Sequence, residues 1–131
     1  MDHLGIAVEA LDDAVERFRD TLDMDLRHRE VLGADGVEVA LMVAGEERIE
    51  LLVPLAQDTP VGRFLARRGP GVHHVAYSVG DIDATLVALV EREVELIDTA
   101  ARPGLHGSRV AFVHPRATGG VLTELVEAAR A

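Results

Sequence analysis

One pattern appears twice in this chain, and that repetition limits the fold more than any single motif does. The run from His3 to Val15 recurs from His74 to Leu86, 71 residues further on. Each copy begins with histidine, alternates small with bulky apolar residues and reaches an aspartate that starts a helix. The ends of the two halves also correspond, Ile49-Glu50-Leu51-Leu52 matching Thr123-Glu124-Leu125-Val126, each with a carboxylate inside an apolar strand. Self-similarity at a fixed period reports architecture directly. The natural conclusion is a duplication with pseudo-twofold symmetry, each half reading β-α-β-β-β. The repeat also pairs the polar residues, His3 with His74 and Glu50 with Glu124.

Local patterns fill in the elements. Leu4, Ile6 and Val8 alternate with His3, Gly5 and Ala7, which predicts a strand with one bulky and one small face, His3 lying on the small one. Asp12 or Asp13 is the expected cap of a helix whose apolar stripe is Val15, Phe18 and Leu22. After the polar stretch Arg27 to Glu30, Gly33 to Gly36 reads as a turn, with hairpin strands at Val37 to Val43 and Arg48 to Val53 around Gly45. Thr59-Pro60 opens a short helix that Gly69-Pro70-Gly71 ends. The second half predicts a helix from Ile82 to Arg92, a strand-like Glu95 to Asp98, a glycine loop at Gly104 to Gly107, and strands at Arg109 to His114 and Val121 to Val126. The 131 residues suit a single α+β domain, with module one over about 1–56, a linking helix over about 58–69 and module two over about 72–128.

Charge and composition remove several function classes. A net charge of −10 argues against a nucleic-acid partner, whose phosphates call for concentrated positive charge. All 13 basic residues are arginine, so any phosphate-bearing ligand would meet guanidinium forks. No apolar run approaches 18 residues and Met1 leads straight into the polar Asp2-His3, so a soluble, cytoplasmic protein without membrane contact is expected. Cysteine is absent, which leaves His, Glu, Asp and water as metal ligands.

A glutamate inside an apolar strand costs several kcal/mol to bury unless it is paired or bound to a cation. His3, Glu50, His74 and Glu124 share one solution, a divalent metal held by two imidazoles and two carboxylates. That donor set suits a borderline first-row ion such as Co²⁺, Ni²⁺, Mn²⁺ or Zn²⁺. In a regular strand His73 faces away from His74 and becomes its supporting neighbour. His28 and His106 sit in polar, loop-like contexts, and His114 before Pro115 reads as a structural cap.

These residues carry a family resemblance. The most specific pieces are Asp2 to Val8, Ile49 to Pro54, Phe64 to Gly69, Gly71 to Ala76, and Phe112 to Arg116 leading into Gly119 to Leu125. In them the chain resembles the methylmalonyl-CoA epimerases, a family of the vicinal oxygen chelate superfamily that also contains glyoxalase I. The resemblance implies two paired βαβββ modules forming a curved mixed sheet cup, a homodimer, and metal ligands at His3, Glu50, His74 and Glu124. It implies inversion at C2 of methylmalonyl-CoA, with the metal stabilising an enolate and two carboxylates serving as base and acid. Glu124 is the implied carboxylate on one face. The other falls at Val39 in an ungapped alignment, and the neighbouring Glu38 reaches that position only if the strand carries a bulge. The loop Arg102 to Ser108 resembles the family's substrate loop, so Gly107 and Ser108 are expected to hold the free carboxylate, with Arg116 as a charge for a carboxylate or phosphate. Arg63, Arg67 and Arg68 are candidates for the CoA phosphates. Two other activities share the scaffold: a glyoxalase I type lyase or other acyl-CoA epimerase, and a non-catalytic ligand-binding relative, which Val39 favours.

Overall fold

The computed structural model describes residues 1–130, which form two compact units, residues 3–73 and residues 74 onward together with 1–2. The first unit contains strands β1 (His3–Ala7), β2 (Asp25–Leu32), β3 (Val37–Ala44) and β4 (Glu47–Pro54) and helices α1 (Leu11–Leu22) and α2 (Pro60–Arg68). Its strands lie in the order β2-β3-β4-β1, antiparallel except that β1 runs parallel to β4. Helix α1 buries Leu11, Ala14 and Val15 on Ala40, Met42 and Leu51, with Ile6, Phe18 and Ile49 at the edge of the cluster. One face of the sheet is thus committed to the helix, and the other is left for a site.

The second unit repeats the plan. It holds residues 74–78 of β5 (Gly71–Ser78), α3 (Ile82–Glu91), β6 (Arg102–Pro103), β7 (Arg109–Val113) and β8 (Thr123–Glu127). The order is β5-β8-β7-β6, with β5 parallel to β8. Ile82 and Leu86 of α3 pack on Ala111, Val113 and Leu125. Each unit is therefore a βαβββ module with its helix on one face, the α+β class expected from the repeat.

Several local expectations change. Asp12 and Asp13 do not cap α1: Ala10 occupies the N-cap without a side-chain hydrogen bond, and the two aspartates sit in the first turn, where they act on the positive end of the helix dipole. Asp81, which the repeat matches to Ala10, does cap α3, accepting from the Ala84 amide at 3.0 Å. The polar stretch Arg27 to Glu30 lies inside an eight-residue strand, β2. Glu95 to Asp98 is not a strand but a single bridge, Leu96 to Val113. Its replacement, β6, is only two residues long, and one of them is Pro103, which has no amide to extend the ladder. Among the described residues no helix is long and apolar enough to cross a membrane.

The entry to α2 is a tight turn. Thr59 caps it, accepting from the Gly62 amide at 3.0 Å and donating its hydroxyl to the Ala56 carbonyl at 2.8 Å. A Cβ on Gly62 would lie 2.4 Å from the Gln57 carbonyl oxygen and 2.7 Å from that of Ala56. These are backbone atoms, so relief means opening the turn. Gly62→Ala is expected to cost about 1–3 kcal/mol, as overpacking does elsewhere, seen as a lower urea midpoint at unchanged slope. An unchanged midpoint would show that the turn yields freely.

Candidate functional site

In the parallel pair β1–β4, Gly5 lies opposite Glu50 and Ala7 opposite Leu52. Side chains alternate along a strand, so His3, Gly5, Glu50 and Leu52 share the face turned away from α1. The small residues Gly5 and Ala7 leave that face open for His3. His3 Nδ1 stands 3.2 Å from Glu50 Oε2, the imidazole 2% and the carboxylate 13% exposed.

The second unit builds the same pair by the same rule. Ala76 lies opposite Glu124 in β5–β8, and Phe112 of β7 lies opposite Glu124 on its other side. His74 Nε2 stands 3.4 Å from Glu124 Oε1, with the imidazole 4% and the carboxylate 9% exposed. The His74 ring packs edge-on against Phe112 with centroids 5.4 Å apart. In both units the histidine precedes by two residues the small residue facing the glutamate, and Leu41 faces Glu50 as Phe112 faces Glu124.

The donors fit a divalent cation. Each unit turns one imidazole nitrogen and one carboxylate oxygen toward each other with little water around them, and a cation would neutralise a carboxylate that is costly to bury.

Other candidates fall in different places. Glu38 faces Val53 across an uninterrupted β3–β4 ladder, while Val39, 1% exposed, faces Leu52 on the Glu50 side. No bulge in that ladder turns Glu38 around, so it stays on the α1 side. There Arg29 joins it to α1, donating to Glu38 Oε2 at 3.2 Å and to Asp12 Oδ1 at 2.5 Å. These carboxylates raise the Arg29 pKa, the hydrogen bond that Arg29 donates to Asp12 being the largest cause. Glu38→Ala is expected to leave turnover within about twofold of the parent and to cost under about 1 kcal/mol of stability, as a part-exposed ion pair does. A hundredfold loss of turnover would return Glu38 to the site.

Ser108 has extended backbone at the start of β7, on the alternation that continues through Val110 to Phe112. A Cβ on Gly104 would lie 2.7 Å from both Ser108 Oγ and Val110 Cγ1, so a side chain there would have to displace both. Gly107 is exposed and left-handed at φ 70°, and His106 before it is exposed with φ 54°. Arg116 is exposed and holds Glu95 with two hydrogen bonds, at 3.1 and 2.7 Å. That contact lowers the Glu95 pKa and raises that of Arg116. His114 accepts from the Arg116 amide at 3.1 Å, the capping role read from its place before Pro115. His73 packs edge-on against Phe64 of α2, centroids 5.1 Å apart. On α2, Arg63 pairs with Asp58 at 2.8 Å and Arg68 lies over Phe64.

His28 departs from its expected loop setting. It lies in β2, half-buried, with Nε2 2.9 Å from Glu30 Oε1.

The match to known proteins covers most of the chain. Residues 2–112 match the model of the glyoxalase/bleomycin resistance protein/dioxygenase superfamily. The chain belongs to that superfamily. Among its members, the crystal structure of methylmalonyl-CoA epimerase from Mycobacterium tuberculosis is 41% identical, with TM-score 0.94, covering 98% of this chain and 87% of that one. A Streptomyces coelicolor methylmalonyl-CoA epimerase variant in complex with 2-nitronate-propionyl-CoA is 38% identical, with TM-score 0.95, covering 98% and 94%. The mitochondrial methylmalonyl-CoA epimerase of Mus musculus is 35% identical over 129 residues, 98% of this chain and 72% of the mouse protein. Within the superfamily, then, the resemblance to methylmalonyl-CoA epimerases that the motifs carry holds along nearly the whole sequence.

Proposed function

We propose that this chain is an isomerase that interconverts the 2R and 2S forms of methylmalonyl-CoA. The observation that carries the reading is the His–Glu pair built twice by one register rule, with both imidazoles and Glu124 buried and Glu50 partly buried, in a chain similar throughout to methylmalonyl-CoA epimerases. His3 with Glu50, and His74 with Glu124, are its proposed ligands for a divalent ion, cobalt first, then nickel, manganese or zinc. When bound, the ion supplies Lewis-acid polarisation of the substrate's carbonyl and carboxylate oxygens.

The chain's own groups then have defined tasks. The C2 proton is acidified by the thioester carbonyl beside it. Glu124 accepts that proton from one epimer, or donates it in the reverse direction, and the small exposure of its carboxylate limits competition from water. Ser108 offers its hydroxyl and Gly107 its amide to the free carboxylate of the substrate. Arg116 joins them only by giving up Glu95.

Val39 favours a second reading, a ligand-binding relative without turnover, because it puts a buried apolar residue where a carboxylate is expected. One experiment separates the readings. Cobalt-loaded protein is incubated in D₂O with racemic methylmalonyl-CoA and, in parallel, with the methylglyoxal–glutathione adduct, and hydrogen at the reacting carbon is followed by NMR. Exchange with the CoA ester alone supports the epimerase. Exchange with the adduct alone makes the protein a glyoxalase I type lyase, and exchange with neither leaves the binding relative.

A further inference from the structure

We propose that Glu30 of β2 is the second proton-transfer carboxylate that inversion at C2 requires; this rests on the epimerase reading above. Within the unit of residues 3–73, the face that carries Glu50 consists of cross-strand rows. One row is His28, Leu41 and Glu50, and the next is Glu30, Val39 and Leu52. Directly opposed residues of an antiparallel pair have Cβ atoms about 5 Å apart, so Glu30 is the immediate neighbour of the position where the carboxylate is missing.

A single irregularity puts it there. Leu26 faces Met42, yet His28, two residues on, faces Leu41, so β2 carries one extra residue at Arg27. Because side chains alternate, an uninterrupted ladder would set Arg27 opposite Leu41 and Arg29 opposite Val39, and would send His28 and Glu30 to the α1 side. The bulge reverses this. It keeps Leu26 in the α1 core, turns Arg29 to Glu38 and Asp12, and delivers His28 and Glu30 to the Glu50 face. Bulges often re-aim side chains beside active sites. The bulge that Glu38 would have needed in β3 is found in β2, acting on Glu30.

The carboxylate delivered is also held and able to exchange protons. His28 Nε2 lies 2.9 Å from Glu30 Oε1, the two side chains 29% and 35% exposed. The remaining β2 carboxylate on this face, Asp25, is exposed at the start of the strand, in the row of Val43 and Arg48 rather than that of Val39. In one direction the C2–H bond breaks as Glu124 takes the proton, and the electron pair passes into the thioester as an enolate. Glu30, protonated, then forms the new C2–H bond with inverted configuration, giving its proton to the enolate carbon. Solvent exchange resets both carboxyl groups, and the reverse direction exchanges their roles.

Two carboxylates make a distinctive prediction for Glu30→Gln, assayed in D₂O from each pure epimer. Inversion is expected to fall roughly 10²-fold or more. One epimer should keep exchanging its C2 hydrogen through Glu124 without inverting, and the other should become inert. Glu30→Asp should recover part of the inversion rate, and the thermal midpoint of Glu30→Gln should match the parent. Inversion at the parent rate, or equal loss of exchange from both epimers, overturns the assignment. A parent protein that exchanges neither epimer removes the epimerase reading and this assignment with it, whereas an active parent with an indifferent Glu30→Gln removes Glu30 alone.

Discussion

Glu124→Gln is expected to stop inversion while leaving the ion in place. The substitution keeps size and shape in a position 9% exposed beside His74, and it keeps an oxygen that can serve as a ligand. What it removes is the ability to accept and return a proton at ordinary pH. General acid–base catalysis by a positioned group contributes roughly 10²- to 10⁴-fold, so inversion should fall by that much, and the epimer served by Glu124 should lose deuterium exchange at C2. Cobalt content and the visible cobalt spectrum should stay close to the parent's. The combination is diagnostic: loss of both ion and exchange would mean that Glu124 acts only through the ion, and retention of inversion would remove it from proton transfer altogether. Glu30→Gln should give the reciprocal exchange pattern, so the two variants together assign each carboxylate to one face of C2.

The sequence discloses what depends on period and pattern. The 71-residue repeat and the alternation of β1 were enough to name both modules and to match His3 with His74, and the structure shows why: in each module the small residue two after the histidine faces the glutamate, a register that alternation preserves. Thr59-Pro60 and Gly69 located α2 because caps act within a turn of chain. What stayed hidden depends on neighbours distant in sequence. The alternation of β2 is interrupted at Arg27, and only the partner strand reveals that Leu26 and His28 face opposite sides of the sheet. The same hidden bulge made His28 look like a loop residue and Glu30 part of a polar run. Glu38 shows the complementary limit: alternation sets it on the face opposite Val39 in an unbroken strand, and only the β3–β4 register shows that no bulge turns it back. In the second module the counterpart of β2 shrinks to Arg102–Pro103, so the repeat gave no second copy from which to read the bulge.

The equivalence of the two pairs leads to the other large expected effect. If His3 and His74 are matching ligands, His3→Ala and His74→Ala should weaken divalent-ion binding to a similar degree, whichever unit carries the change. Loss of residues that merely orient a ligand already costs 10- to 100-fold in affinity, so losing a ligand should cost roughly 10²-fold or more. Each variant also leaves a carboxylate, the partly buried Glu50 or the buried Glu124, without its imidazole neighbour, so some loss of stability is expected in both. Ion affinity is therefore best read by calorimetry with Co²⁺ well below the thermal midpoint of each variant, and compared with that of His73→Ala, whose ring packs on Phe64. His73→Ala should bind the ion within a few-fold of the parent, because alternation sets its side chain on the opposite face of β5 from His74. If His3→Ala binds as the parent does while His74→Ala does not, the ion belongs to one module alone. The duplicated pair in the other would then be a structural contact inherited from the repeat.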